Sequence, residues 1–226
     1  MNKILTFDCY GTLIDTLPFY NEISKIGEDL GLDSKKIVET FVNYEDRLMY
    51  GEPFRKLSDI IYKALEYCEF ELKCDKIKRE FERLIEIHRN LLPFEEVKST
   101  LTSLKSKGFT LAILSNSEWN IMDYNLKSLE TKIDYVFLAE DLKYYKPQID
   151  FFKRVEQEIL INRDYHVHIA AGFWWDIVPA TNMSWNKIWV NRKEKSGLKE
   201  YEPYTEISKL DEIFDHLKNG KFGLFA

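Results

Sequence analysis

The residues suited to covalent chemistry sit just behind short apolar runs. Asp8 follows Ile4-Leu5-Thr6-Phe7 and opens the stretch Asp8-Cys9-Tyr10-Gly11-Thr12-Leu13. Ser115-Asn116-Ser117 follows the run 110–114. Lys146-Pro147 lies a short loop beyond 135–138, and Gly172-Phe173-Trp174-Trp175-Asp176 follows 167–171. Two carboxylates, an ammonium and a hydroxyl–amide pair are the parts of nucleophilic catalysis: an attacking carboxylate, a cation that keeps it ionised, and donors that orient the substrate. A cation ~4 Å from a carboxylate contributes ~4 kcal/mol at an effective dielectric of about 20, enough to offset partial desolvation.

These residues converge only if the runs before them form one sheet. The runs 3–7, 110–114, 135–138, 167–171 and 187–190 are short, nearly all apolar and mostly rich in Ile, Val, Leu or aromatic residues. That pattern suits strands covered on both faces. Helical patterns lie between them: Phe94, Val97, Leu101 and Leu104 repeat at helical spacing before Gly108, a C′ residue. Strand–helix alternation predicts a parallel sheet, and ligands of such sheets bind beyond the carboxyl ends of the strands. Residues 15–92 differ, showing only helical patterns. The spacing predicts a helix over 18–30 ended by Gly31, a second capped by Asp33 or Ser34 with Ile37, Val38, Phe41, Tyr44 and Leu48 on one side, a break at Gly51-Glu52-Pro53, and helices near 54–68 and 75–91. The expected architecture is α/β: a three-layer parallel-sheet core from residues 1–14 and 93–226, capped by an all-helical insertion at 15–92.

Composition narrows the function classes. With 226 residues, 45% of them apolar and 15% aromatic, the chain can bury a sizeable core. A net charge of −6 argues against nucleic-acid binding, and no apolar run approaches the ~18 residues of a membrane span. The first residues show no secretory h-region, and Cys9, Cys68 and Cys74 form no disulfide or metal framework, so a reduced, cytoplasmic setting is expected. His88, His166, His168 and His216 show no visible partner and are given no catalytic role. The apolar end Phe222-Gly223-Leu224-Phe225 is expected to pack somewhere.

Asp8-x-Tyr10-Gly11-Thr12-Leu13, Leu114-Ser115-Asn116, Lys146-Pro147 and Asp176 together resemble, in order and spacing, the four motifs of the haloacid dehalogenase superfamily of hydrolases, over residues 3–192. Tyr10, 111–116, 145–147 and 189–192 are similar to the L-2-haloacid dehalogenase (type II) branch. The resemblance implies a Rossmann-like core and a helical cap. Asp8 would attack carbon and become an ester that water then hydrolyses. Lys146, Asp176, Ser115, Asn116 and Thr12 would support it, Tyr10, Phe173 and Trp175 would line the substrate pocket, and Arg47 is the cap candidate for receiving halide. No cofactor is implied, and the substrate would be a short 2-halo acid; a homodimer is left open.

Chemistry supports that branch. Phosphatases of this fold need an acid two residues past the nucleophile to protonate a leaving alkoxide. Halide needs no proton, and the phenol of Tyr10, with a usual pKa of about 10, is too weak an acid for the purpose. Two alternatives stand beside it. One is a phosphatase in which Asp8, the Tyr10 carbonyl and Asp176 bind Mg²⁺ and the substrate is a phosphate ester. The other is a non-catalytic binding protein, motivated by Ala171 and Phe173, where the branch has Ser and Asn.

Overall fold

The computed structural model describes residues 3–218; the Phe222–Phe225 stretch lies outside them. Six strands, β1 (Ile4–Asp8), β2 (Thr110–Ser115), β3 (Tyr135–Leu138), β4 (His166–Ala170), β5 (Lys187–Val190) and β6 (Thr205–Ile207), form one parallel sheet in the order β3-β2-β1-β4-β5-β6. The central strand β1 is bonded to β2 on one side and β4 on the other. The strand order therefore reverses at β1, and its carboxyl end, where Asp8 stands, opens on the crevice that such a reversal creates. Every residue of β1, β4 and β5 is buried, which explains their mostly apolar character.

The expected strands are all present, with three shifts and one addition. β1 extends to Asp8, β2 to Ser115, and β4 begins at His166. His166 and His168 are strand interior, and Thr6 of β1 meets one nitrogen of each ring. β6 was not anticipated. It is three residues long, with exposed Glu206 between buried Thr205 and Ile207, too short and too mixed to stand out as an apolar run.

The helices are α1 (Leu17–Asp29), α2 (Ser34–Met49), α3 (Leu57–Leu72), α4 (Phe81–Arg89), α5 (Val97–Ser106), α6 (Trp119–Ser128), α7 (Ala139–Leu142), α8 (Ile149–Glu158), α9 (Val178–Asn182) and α10 (Ile213–Lys218). The first four, with a 3₁₀ turn at Ile77–Glu80, make up the helical insertion. Asp33 caps α2 by accepting from the Lys36 N–H at 2.9 Å. Gly31 turns the chain out of α1 at φ +69°. Both ends of the insertion are stitched together: Ile14 bridges Pro93, Asp15 N donates to Leu92 O at 2.9 Å, and Phe94 N donates to Leu13 O at 3.0 Å. Among the described residues no helix is long and apolar enough to cross a membrane.

Candidate active site

Asp8 ends the central strand and is 7% exposed. The loop behind it closes tightly, with Leu13 N and Ile14 N both donating to Cys9 O and Gly11 N donating to Ile14 O. Gly11 sits at φ +84°, a conformation that favours glycine. This turn brings Thr12 back under Asp8: its hydroxyl donates to Asp8 Oδ2 at 2.6 Å and accepts the Ala171 N–H at 2.7 Å. Arg192, paired with Glu96 at 2.7 Å, donates to Thr12 O at 2.8 Å and ties the same loop to the chain beyond β5.

Lys146 is buried and its ammonium bridges two carboxylates, donating to Asp8 Oδ1 at 2.8 Å and Asp176 Oδ1 at 2.6 Å. Its backbone is clamped by Asn116, whose amide Nδ2 donates to Lys146 O at 3.0 Å while Oδ1 accepts the Lys146 N–H at 2.7 Å. Asn116 thus clamps the lysine's backbone, in addition to lining the cavity where it was expected to donate to substrate or to Asp8. Burial works against the charge on Lys146, but Asp176 and Asp8 outweigh it and hold the pKa above the usual lysine value.

Asp176 lies in a π-helical turn, Phe173–Ile177, whose wide pitch is common at functional sites. Gly172 makes room for it, since a Cβ there would lie 2.6 Å from Asp176 Oδ2. That oxygen is buried and has no partner among the described residues. Oδ1 also meets His168 Nε2 at 3.1 Å. Behind His168 a buried chain continues: its Nδ1 is 2.9 Å from Thr6 Oγ1, which is 2.8 Å from His166 Nε2. If His168 gives its Nε2 proton to Asp176, its Nδ1 must accept from the Thr6 hydroxyl, which in turn accepts from His166. Every donor then points toward the carboxylate. Burial disfavours the Asp176 charge, yet Lys146 and His168 together hold its pKa below the ordinary value. Asp8 goes the other way: burial, and the Asp176 anion beyond, raise its pKa against the pull of Lys146 and Thr12.

A cavity of about 170 Å³ opens over these groups. Of the residues expected at the site, Asp8, Tyr10, Asn116, Lys146, Trp175 and Asp176 line it, with Thr12 directly beneath Asp8. Tyr10 gives its hydroxyl hydrogen to Asn125 Oδ1 at 2.7 Å, and burial pushes its phenol pKa up. Trp175 stacks on Tyr50 of the insertion, ring centres 5.9 Å apart. Three expected residues are elsewhere. Arg47 is exposed and lies over the Tyr44 ring, because the stripe of α2 that faces inward runs through Ile37, Phe41 and Glu45. Phe173 turns away to pack edge-on against Trp189, Tyr201 and Tyr204. Ser115 is buried off the cavity, its Oγ without a partner among the described residues.

A Mg²⁺ ion held by Asp8, the Tyr10 carbonyl and Asp176 fits this donor set poorly. The facing Oδ1 atoms already share the Lys146 ammonium, and Ala171 offers no side-chain oxygen. Among the described residues no three His, Cys, Asp or Glu side chains gather as a metal site.

Sequence reasoning missed His168 and Thr6, although His166 and His168 share a strand face by their period of two and Thr6 is the register partner of His168. It also missed Glu45 and His88, which line the cavity. Both continue apolar helix stripes, Glu45 after Ile37 and Phe41, and His88 after Leu84 and Ile85. A polar residue on such a stripe was the available signal.

The model of the haloacid dehalogenase-like hydrolases matches residues 2–180. The chain belongs to this family. It is 24% identical over 222 residues to (S)-2-haloacid dehalogenase 4A of Burkholderia cepacia, covering 94% of this chain and 93% of that one. Haloacetate dehalogenase H-2 of Moraxella sp. (strain B) is 28% identical over 202 residues, 85% and 88% of the two chains. A dehalogenase solved with an intermediate complex superposes with a TM-score of 0.82 at 21% identity, over 95% of this chain and 96% of the other, a likeness of fold. This member of the family is a hydrolase with a Rossmann-like α/β core and a helical insertion.

Proposed function

We propose that this hydrolase cleaves the carbon–halogen bond of a small organic halide, in the manner of an (S)-2-haloacid dehalogenase, through an ester formed on Asp8. The observation that carries the reading is Tyr10. The position where a leaving alkoxide would find its acid holds a phenol committed to Asn125, while the nucleophile beside it is held by Lys146 and Thr12. Such a site suits a leaving group that departs without a proton. The curated relatives named for dehalogenation, matched over most of their length, support it.

In the first step an Asp8 oxygen attacks the halogen-bearing carbon from the side opposite the halogen; the C–O bond forms as the C–X bond breaks and halide leaves with the electron pair. Lys146 keeps Asp8 ionised for attack, and Thr12 and Lys146, one on each oxygen, fix the carboxylate plane. Water then attacks the Asp8 acyl carbon and passes a proton to Asp176 Oδ2, buried and unpartnered beside Gly172. The acyl C–O bond to the substrate breaks, the departing alkoxide takes that proton from Asp176 and leaves as the alcohol of inverted configuration, and Asp8 returns to the carboxylate by releasing the water's second proton to solvent. Residues 15–92 act as the cap that closes over the substrate, and no divalent ion takes part.

The test is a single turnover in ¹⁸O-labelled water, which is expected to place label in Asp8, with Asp8→Asn releasing no halide and a chelator leaving the rate unchanged. Label appearing only in the first-turnover product would defeat the ester.

A further inference from the structure

The insertion's side of the cavity is acidic where a site for short halo-carboxylates would be expected to be basic. Glu45 of α2 lines the cavity at 9% exposure and has no hydrogen-bond partner among the described residues. Asp46 stands next to it on the same lining. His88 of α4, 7% exposed, lines the same wall with its Nδ1 unpartnered among the described residues, its ring held edge-on by Tyr10 and Phe19. Tyr20 of α1 completes the wall. The cationic residue on the lining is Lys146, whose ammonium is already committed to Asp8 and Asp176. Arg47 points away.

A buried, unpartnered carboxyl is costly to keep, and its neighbours do nothing to satisfy it. Burial and Asp46 push Glu45 up to about 8, and burial drops His88 to about 4, so the wall holds a neutral imidazole and a carboxyl with unspent hydrogen-bonding capacity. A substrate that offers a donor would satisfy these groups. An ammonium would in addition draw the proton off Glu45 and pair with it and Asp46, whereas an anion would face the Asp46 carboxylate with no free cation on the lining to meet it.

We propose that Glu45, with Asp46, Tyr20 and His88, forms a subsite that recognises a hydrogen-bond-donating or positively charged group, such as an amide or a primary ammonium, on the substrate of this enzyme. The inference rests on the Asp8 ester reading for what happens at the halogen-bearing end, and it specifies the rest of the substrate: a small halide bearing a donor in place of the carboxylate of a 2-halo acid. The cavity volume of about 170 Å³ limits the whole molecule to a few non-hydrogen atoms.

Halide release is measured for 2-chloropropionate, 2-chloropropionamide and 3-chloropropylammonium with the wild type and Glu45→Gln. In parallel, propylammonium and propionate are titrated into both proteins by NMR. The expected result is a kcat/KM at least tenfold higher for the two donor-bearing halides, with E45Q erasing most of the ammonium's advantage through KM, and propylammonium bound more tightly than propionate by the wild type alone. A preference for 2-chloropropionate that E45Q does not move overturns the subsite. If no halide is released from any compound, the ester reading fails and the titration decides: tighter binding of propylammonium, lost in E45Q, sustains the subsite. Tighter binding of propionate, or binding of neither, overturns it.

Discussion

A single ammonium serves both carboxylates of the site, and that sharing sets the pH behaviour. Asp176 keeps its charge through Lys146 and His168, whereas burial and the Asp176 anion push Asp8 upward. Under the proposed ester mechanism Asp8 must be ionised to attack, so kcat/KM is expected to fall as pH drops through a pKa above the usual aspartate value, and the acid limb of the profile measures it. Lys146, whose pKa is held above the usual lysine value, would give an alkaline limb only above that value. Replacing the lysine by methionine leaves two buried carboxylates facing each other with no cation between them. The expected cost is about 3–5 kcal/mol in denaturant unfolding at neutral pH, shrinking on acidification as the carboxylates take up protons. Equal destabilisation at pH 5 and pH 8 would show that the charge pairing is not the source. Glu45 gives the opposite case. Its folded pKa, about 8, lies above the ordinary glutamate value of 4.5, so the folded state holds a proton that the unfolded state releases. Its favourable contribution is complete below about pH 4.5 and is lost as pH rises toward about 8. Glu45→Gln removes that loss, so the Tm difference between variant and wild type should grow in the variant's favour from pH 5 to pH 8.

At the scale of elements, the insertion depends on a close approach that one glycine permits. A Cβ on Gly27 of α1 would lie 2.7 Å from Ile37 Cγ2 and 3.3 Å from the Ser34 Cα of α2. Alanine there gains up to ~1 kcal/mol of helix propensity but forces the two helices apart, at a typical overpacking cost of ~1–3 kcal/mol. Gly27→Ala should therefore lower Tm, and because α1 carries Tyr20 and α2 carries Glu45, it should also weaken substrate binding. Thermal unfolding with a KM measurement checks both. These helices were legible in the sequence because their capping and periodicity are local: Asp33, Gly31 and the stripe through Ile37 and Phe41 were all read from spacing alone. The same spacing carries Glu45 onto the stripe, but a carboxylate is ordinarily discounted as core; Arg47, the candidate that the family resemblance supplies, lies two residues on. That shift is two steps of ~100°, enough to carry the side chain to the opposite face.

At the scale of the whole molecule, the sheet edge that gathers Asp8, Asn116, Lys146 and Asp176 could be inferred because each follows a strand, and parallel topology fixes which ends of the strands meet. What could not be inferred were contacts made across distant segments: Asn116 on the Lys146 backbone, His168 through Thr6, and the latch between insertion and core. In that latch Glu118, buried at the start of α6, accepts from the Ser58 backbone N–H at 3.1 Å and the Ser58 hydroxyl at 3.0 Å at the start of α3. Tyr50 donates to Lys146 O at 3.1 Å, and Tyr145 donates to Arg55 O at 2.9 Å. Since the cavity lies between insertion and core, its walls stay assembled only while these contacts hold. Glu118→Ala frees the first turn of α3 without touching the reacting groups. It should speed amide hydrogen exchange at 57–61 and lower kcat/KM, mainly through KM, while the single-turnover ester step at saturating substrate keeps its rate. A fall in that chemical rate as large as the fall in kcat/KM would mean that Glu118 supports the nucleophile and its lysine directly, and the latch would lose its role in closure.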